Sequence, residues 1–400
     1  MHVLHVAPYF PPTWAYGGIP RVVDGLTRAQ AAAGAQVSVL TTDALDGAGR
    51  AGLPLDRAHG GVRVLTAPNL SNRLAYRHQL FLPQPGALAA ARATLDGGPP
   101  PDVVHLHGHR HLLNSAAVRW ARRWGAPVVL TANGTLVAHE RKVAVKRLWD
   151  VVLGDPVLRA AAAFVAVSGA DQAAHLRAGL PADRVHRIPN GLDMGEFAPL
   201  PARGAFRARH ALGDGPLVAY LGQISPRKGV EHLVAAFAGG ALAPAQLVVA
   251  GNDMGGMDRA AAAAAGVEGV RFVGLLRGEE RLSLLADADV LVYATQAEVF
   301  GLVPFEGLLC GAPVVVADDC GCGELIREAG AGLLVRYGDV DGLRARIRTL
   351  LSDRVAAAAM VGRGRRYIEA TLQLSAVAAA HLELYGRLRA QRAEAGWTGT

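Results

Sequence analysis

The chain has 400 residues, 51% of them hydrophobic and 19% charged, which indicates a globular protein with well-filled cores and enough length for two domains. Its formal net charge is +7, yet only three basic residues are Lys (Lys142, Lys146 and Lys228), and the arginines are scattered without interleaved aromatics, which argues against a nucleic-acid surface. No window offers about 18 consecutive apolar residues, so no membrane-spanning helix is expected.

The start, Met1-His2-Val3-Leu4-His5-Val6-Ala7-Pro8, has neither a basic leader nor a cleavage site, and reads as a first strand of a cytoplasmic protein. Val3–Ala7 is apolar, a Pro-rich loop runs from Pro8 to Gly18, and Ile19, Val22, Val23 and Leu26 then fall at i, i+3, i+4 and i+7. Gly34 ends that helix, and Gln36–Thr41 reads as the next strand. Apolar runs at Val62–Leu65, Asp102–His107, Pro127–Thr131 and Ala163–Val167 alternate with helical stretches, which predicts a parallel sheet covered by helices on both faces.

Pro, Gly and charged residues cluster from Ile188 to Arg209, and the pattern then restarts. Leu217–Leu221 is a strand, Gly222 to Gly229 a loop, and Val230, Leu233, Val234 and Phe237 repeat the helical spacing. Strands follow at Leu247–Ala250, Val270–Val273, Val290–Tyr293 and Pro313–Val316. The expectation is an α/β protein of two doubly wound domains, 1–195 and 205–374, with the last helical stretch, Leu374 to Ala395, packing back on the first domain.

Open α/β sheets bind ligands in the loops beyond the carboxyl ends of their strands, and four candidate segments sit there. The most informative is Glu298-Val299-Phe300-Gly301-Leu302-Val303-Pro304-Phe305-Glu306, two carboxylates eight positions apart after the strand that ends at Tyr293. Pro304 is tolerated only in the first turn of a helix, so a helix starts near Gly301 to Val303 and carries Glu306. Backbone N–H groups at such a start attract anions, and carboxylates accept hydrogen bonds from sugar hydroxyls, so the segment suits a sugar nucleotide. Capping and dipole roles are the ordinary alternative for acids at a helix start. Glu306 lies among Val303, Phe305, Leu308 and Leu309, where an acid is either hydrogen-bonded or costly.

In the loop Leu221-Gly222-Gln223-Ile224-Ser225-Pro226-Arg227-Lys228-Gly229, Lys228 stands at a helix start, against the helix dipole, where a bound diphosphate would justify a cation. The strand Asp102–His107 ends on His107 at the sheet's carboxyl edge, a functional candidate, whereas His105 reads as a satisfied core histidine. His109 and His111 lie nearby without a carboxylate or Cys at metal-site spacing, so no metal is expected. Tyr16-Gly17-Gly18 would let backbone approach a ligand, although a Gly-x-Gly-x-x-Gly fingerprint is missing. Gly251-Asn252-Asp253-Met254-Gly255-Gly256 reads as a turn, and the Asp287–Asp289 and Asp339–Asp341 pairs as capping or turn residues rather than a metal clamp. Cys310, Cys320 and Cys322 fit a reducing compartment and read as buried small hydrophobes.

Together these segments resemble the retaining GT-B glycosyltransferases of the glycosyltransferase 4 family (group 1 glycosyltransferases), over nearly the whole chain. The resemblance is carried by Gly17-Gly18, Asp102–His107, Val167-Ser168, Ile188-Pro189-Asn190-Gly191-Leu192-Asp193, Phe197 with Pro199, Lys228-Gly229, Gly251, Phe272-Val273-Gly274, Glu298 with Glu306, and Gly311-Ala312-Pro313-Val314-Val315. It implies two Rossmann-like domains facing a cleft, with the second holding a nucleotide-diphosphate sugar and a C-terminal helix crossing back to the first. It also implies transfer of a hexosyl unit with retention to a glycan or lipid-linked acceptor in cell-envelope synthesis, without a bound metal. On this resemblance Glu306 binds the ribose hydroxyls, Glu298 and the backbone of Phe300, Gly301 and Leu302 contact the sugar and diphosphate, and Lys228 neutralises the leaving diphosphate. Gly251, Asn252 and Val273 join the donor site, and His107 and Gly17-Gly18 close over the donor from the first domain.

One position departs from the family pattern, which generally has Arg where this chain has Gln223. Either Arg227 substitutes for it or the leaving group is less stabilised. The basic segment Arg141–Arg147, which holds Lys142 and Lys146 beside apolar residues, reads equally as a peripheral contact with the inner face of an anionic membrane or as a solvated helix. Two alternatives to a transferase are an epimerase on a similar scaffold and a non-catalytic nucleotide-sugar-binding subunit.

Overall fold

Strands that are apolar on both faces need cover on both faces, and most strands here are of that kind: His2–Val6, Val103–His107, Leu217–Leu221 and Val290–Tyr293 are buried at every position. The computed structural model describes residues 1–14, 16–46, 49–136 and 153–394. The chain divides into two units, one of Met1–Leu192 with Leu374–Thr400 and one of Asp193–Gln373.

Among the described residues the first unit holds β1 (His2–Val6), β2 (Gln36–Thr42), β3 (Asp56–His59), β4 (Val62–Ala67), β5 (Val103–His107), β6 (Val128–Thr131), β7 (Ala161–Ala166) and β8 (Val185–Arg187). They form one sheet in the order β3-β4-β2-β1-β5-β6-β7-β8, parallel except for β3 against β4. The chain winds outward from β1 through β2 to β4, then restarts on the other side at β5. The winding therefore reverses between β1 and β5, where His5 pairs with His105. The helix Leu374–Glu394 belongs to this unit and buries Val377, His381, Leu384, Tyr385 and Leu388, a helical spacing, in a core with Val3, Val103, Val129 and Val165.

The second unit holds β9 (Leu217–Leu221), β10 (Gln246–Ala250), β11 (Val270–Gly274), β12 (Val290–Tyr293), β13 (Val314–Ala317) and β14 (Gly332–Val335), all parallel, in the order β11-β10-β9-β12-β13-β14. Here the winding reverses between β9 and β12. A reversal leaves the two adjacent crossovers on opposite faces, so the loops at the carboxyl ends of those strands part and leave room for a ligand.

Three strands escape the sequence reading: β3, which is polar and half exposed, β8, which has three residues, and β14, a short apolar run. The stretch Ile188–Arg209 is less of a bare linker than its composition suggests, since it contains a 3-10 turn at Met194–Phe197 and a helix at Ala205–Arg209. Asp287 accepts the backbone N–H groups of Gly204 and Arg207, so it caps that helix rather than its own. Asp289 holds Arg203 and Arg207 at 2.7 Å and Arg354 at 3.0 Å, and Asp339 caps the helix Val340–Ser352. No helix among the described residues is long and apolar enough to cross a membrane. The segment Arg141–Arg147 lies outside the described residues.

Candidate active site

At the β9–β12 reversal, the loop after β9 is tied down along its length. The Tyr220 hydroxyl donates to the Gln223 carbonyl at 2.8 Å, the Tyr337 hydroxyl to the Pro226 carbonyl at 2.9 Å, and the Gln296 N–H to the Arg227 carbonyl at 2.8 Å. Pro226–Lys228 forms a 3-10 turn, and the α-helix begins only at Val230. Lys228 therefore closes the turn immediately before Gly229, the N-cap of that helix. A solvated lysine is ruled out, because Lys228 is 8% exposed. Its Nζ donates to the Tyr293 hydroxyl at 2.8 Å and to Glu298 Oε2, and sits 4.7 Å from the centroid of the Tyr293 ring.

Glu298 thus meets Lys228 directly, and the Tyr293 hydroxyl donates to the same carboxylate oxygen at 3.1 Å. Burial pushes the Glu298 carboxyl up, but the charge and hydrogen bond of Lys228, the charge of Arg227 and the Tyr293 hydroxyl outweigh it and hold it below its ordinary value. Glu298 is therefore ionised at neutral pH, and Arg227 lies within electrostatic reach of it. Burial and the adjacent Glu298 carboxylate push the Tyr293 phenol well above its usual range, so it stays protonated as a donor.

Gly301 caps the helix Leu302–Cys310 at φ +72°, a left-handed conformation that favours glycine, and no side chain caps that end. A Cβ here would stand 3.0 Å from the Tyr293 ring and 3.2 Å from Glu298 Cγ, so the helix start abuts the lysine–glutamate pair. First-turn N–H groups lack intrahelical partners, and Pro304 contributes none. Phe300 is 2% exposed with its ring 5.4 Å from that of Phe305, so its side chain is a core anchor. Leu302 follows, half-buried, as the first helical residue.

Glu306 is 1% exposed and its Oε2 is bound by Arg281 from the helix Gly278–Asp287, which also reaches Glu196 at 3.4 Å. Arg281 was not recognised from sequence. One carboxylate oxygen of Glu306 is thus committed to a structural partner. Gly251 directly follows β10, where its Cβ would fall 1.7 Å from the Gly222 carbonyl oxygen. Its smallness has a packing cause in the close approach of two strand ends, independent of any ligand. Asn252 follows, its carbonyl accepting the Ile224 N–H at 2.9 Å, while Val273 lies on β11, two strands from β9 and outside the Lys228–Glu298 cluster. Gln223 is half-buried in the loop after β9.

At the β1–β5 reversal, the structure gathers His107, His105 and an unforeseen third ring, His5, with ligand-capable atoms within 4.8 Å of one another. His107 is 1% exposed, and its Nε2 lies 2.9 Å from His5 Nδ1. His105 contacts the Tyr385 hydroxyl at 2.6 Å and Thr131 Oγ1 at 2.7 Å, a satisfied core histidine as expected. Three imidazoles suit a transition metal chemically. Both nitrogens of His5 and both of His105 already have protein partners, however, and no carboxylate belongs to the group. Binding would have to break these bonds to bury an uncompensated charge. Gly17 (φ +98°) and Gly18 precede the helix Ile19–Ala32 at the carboxyl side of β1, Gly18 exposed and at its N-cap.

Residues 17–191 match the family described as glycosyl transferase 4-like domain, and residues 203–367 match glycosyl transferases group 1. A GDP-mannose-dependent alpha-mannosyltransferase of Mycobacterium tuberculosis is 31% identical over 77% of this chain and 77% of its own length. Its counterpart in Mycolicibacterium smegmatis is 30% identical over 89% of each chain. The structure of sucrose-phosphate synthase from Thermosynechococcus elongatus superposes with a TM-score of 0.79 at 25% identity, covering 98% of this chain and all of that one (100%). Anabaena HepE, solved in complex with UDP-glucose, shares the fold at a TM-score of 0.73 and 20% identity, over 97% of this chain and 100% of its own.

Proposed function

The chain belongs to the group 1 glycosyltransferases of GT-B fold, enzymes that use nucleotide sugars, and from that premise we propose that it transfers a hexosyl unit with retained anomeric configuration to a glycan or lipid-linked acceptor. The observation that carries the reading is the buried Lys228–Glu298–Tyr293 cluster against the start of the helix Leu302–Cys310, at the switch point of the second sheet.

Charge gathers on the diphosphate as the bond to the sugar breaks, so fixed donors aimed at it act most strongly in the transition state. An ammonium has three N–H donors. Tyr293 and Glu298 accept two from Lys228, and the third would go to a phosphate oxygen. The N–H groups of Gly301 and Leu302 would add the helix-terminal contribution, and Arg227 would stand in for the arginine that Gln223 replaces. Glu298 would take a sugar hydroxyl while keeping Lys228 in place, and Glu306, oriented by Arg281, would accept from a ribose hydroxyl. His107 and the Gly17-Gly18 backbone would serve the sugar from the first unit. This reading gives no step to a metal and uses no protein nucleophile.

An epimerase finds no support among the relatives described above, which by name are transferases and a synthase. A lipid-linked acceptor would bring the enzyme to a membrane surface, and the basic sequence Arg141–Arg147 is the candidate for that contact. The test is product analysis by mass spectrometry with a panel of nucleotide-diphosphate hexoses and lipid-linked acceptors, with NMR of the new anomeric centre. Donor binding without glycosylated product, or an inverted anomer, overturns the reading.

A further inference from the structure

The three buried imidazoles form one hydrogen-bond chain whose polarity the structure decides. From the sheet edge inward, His107 Nε2 meets His5 Nδ1 at 2.9 Å, and His5 Nε2 meets Gln30 Oε1 at 2.8 Å. Gln30 Nε2 donates to the Tyr385 hydroxyl at 3.4 Å, and that hydroxyl meets His105 Nδ1 at 2.6 Å. His5, Gln30 and His105 are 0% exposed, and His107 1%. All these residues belong to the first unit, and Tyr385 comes from the helix Leu374–Glu394.

Two self-consistent polarities exist, related by a turn of the Gln30 amide. The 2.6 Å contact is shorter than an N–H···O bond usually is, which favours Tyr385 as the donor to His105. Its oxygen then accepts from the Gln30 NH₂, which places Oε1 on His5. His5 Nε2 must carry the proton that Oε1 accepts, so His5 Nδ1 is unprotonated. His107 Nε2 is then the donor across the 2.9 Å contact, and His107 Nδ1 is left bare. The opposite polarity would leave a buried N–H without a partner, which is the rarer situation in folded proteins. Burial keeps the chain neutral: the His5 pKa is lowered to about 3, and that of His107 lies well below its ordinary value.

His107 Nδ1 is buried and has no hydrogen-bond partner among the described residues. An acceptor left so costs free energy until a donor arrives. We propose that Gln30 and Tyr385 are positioning residues that hold His107 as its Nε2–H tautomer, so that Nδ1 is presented as an acceptor to a hydroxyl of the transferred sugar. The proposal rests on the reading of His107 as a sugar contact. It deepens that reading by fixing which way the hydrogen bond runs: His107 accepts and the hydroxyl donates. A donor sugar with fluorine in place of that hydroxyl would find no partner here.

The test is long-range ¹H–¹⁵N correlation of the full-length enzyme labelled at histidine, with His107 assigned by difference against His107→Asn. The expected result without ligand is a pyridine-type Nδ1 and a protonated Nε2. In Gln30→Met the two tautomers should mix, and kcat/KM for the nucleotide sugar should fall with the competent fraction, about twofold for an even mixture. Tyr385→Phe, which removes the acceptor that orients the Gln30 amide, should mix the tautomers in the same way. A role in packing alone would leave the tautomer of His107 unchanged. A protonated Nδ1 in the wild type overturns the proposal, whatever the enzyme's activity and even if Gln30→Met fails to fold. An unprotonated Nδ1 that does not respond when saturating donor is added overturns the hydroxyl contact, while the transferase reading stands on Lys228 and Glu298.

Discussion

Replacing Lys228 by Met separates what the ammonium does for the fold from what it does for the reaction. At hydrogen-bond contact, roughly 3 Å, two unit charges attract by about 5 kcal/mol at an effective dielectric of about 20. Losing one partner of a buried pair costs about 3–5 kcal/mol, because the other charge stays behind. The Glu298 side chain is 20% exposed, so water relieves part of that, and about 2–3 kcal/mol is expected for Lys228→Met. Lys228→Met/Glu298→Gln removes both charges and should recover most of the loss, a coupling of about 2 kcal/mol. None of the five tryptophans lies between Asp193 and Gln373, so fluorescence would miss the event. Hydrogen exchange of amides in β12 and the helix Leu302–Cys310 reports it directly. Transfer activity should behave differently, falling about 10²- to 10³-fold in the single mutant and staying low in the double one. Coupling below about 0.5 kcal/mol would show that the pair is not a unit, and full activity in Lys228→Met would remove the ammonium from the reaction.

Arg281→Met leaves the almost fully buried Glu306 without its arginine and should lower stability by about 3–5 kcal/mol, with recovery in Arg281→Met/Glu306→Gln, read from the same exchange measurement. Gly251→Ala would press a methyl onto the Gly222 carbonyl oxygen and should cost about 3 kcal/mol or more, seen as loss of folded protein in far-ultraviolet circular dichroism; normal stability would refute the close approach. If Arg227 fills the place of the missing arginine, Arg227→Ala should slow transfer by ~10- to 100-fold, and Gln223→Arg added to it should restore much of the rate. Stability should also fall as pH drops below about 6.5. There the unfolded histidines take up protons, whereas burial holds His5 neutral to about 3 and His381 to about 4. Between those limits the unfolded state binds more protons, each such histidine withdrawing about 1.4 kcal/mol per pH unit. Gln replacements at His5 and His381 that left the acid side of the melting profile unchanged would refute this account.

Much of the architecture was legible because interior parallel strands are apolar on both faces, and Val3–Ala7 or Leu217–Leu221 can be little else. The strands that escaped sit at or near sheet edges, where half-exposed Asp56–His59 and three-residue Val185–Arg187 carry too little pattern to stand out. The acids and the lysine of the candidate site were legible through local spacing and through the rarity of Lys. Their partners were not. Arg281 is one of many arginines, 25 positions before Glu306, and nothing local marks it as the residue that holds that carboxylate. His5 meets His107 across 102 positions, a contact created only when β1 and β5 pair.

That difference in legibility matches a difference in chemistry. The second unit sets the Lys228 side chain against the Glu298 carboxylate beside a helix start, and that contact holds the carboxyl below its ordinary value despite burial. The first unit buries His5, His105, His107 and His381 without a carboxylate in the hydrogen-bond chain, and burial lowers the pKa of every one of them. Neutral imidazoles cannot balance the charge of a departing diphosphate. They can discriminate hydroxyls, since a buried acceptor left unpaired penalises a sugar that lacks the matching donor. On the proposed reading, leaving-group stabilisation would therefore fall to Lys228, Arg227 and the N–H groups at Gly301 and Leu302, and recognition of a sugar hydroxyl to His107. Burial decides that division, because it sets which groups carry charge at neutral pH.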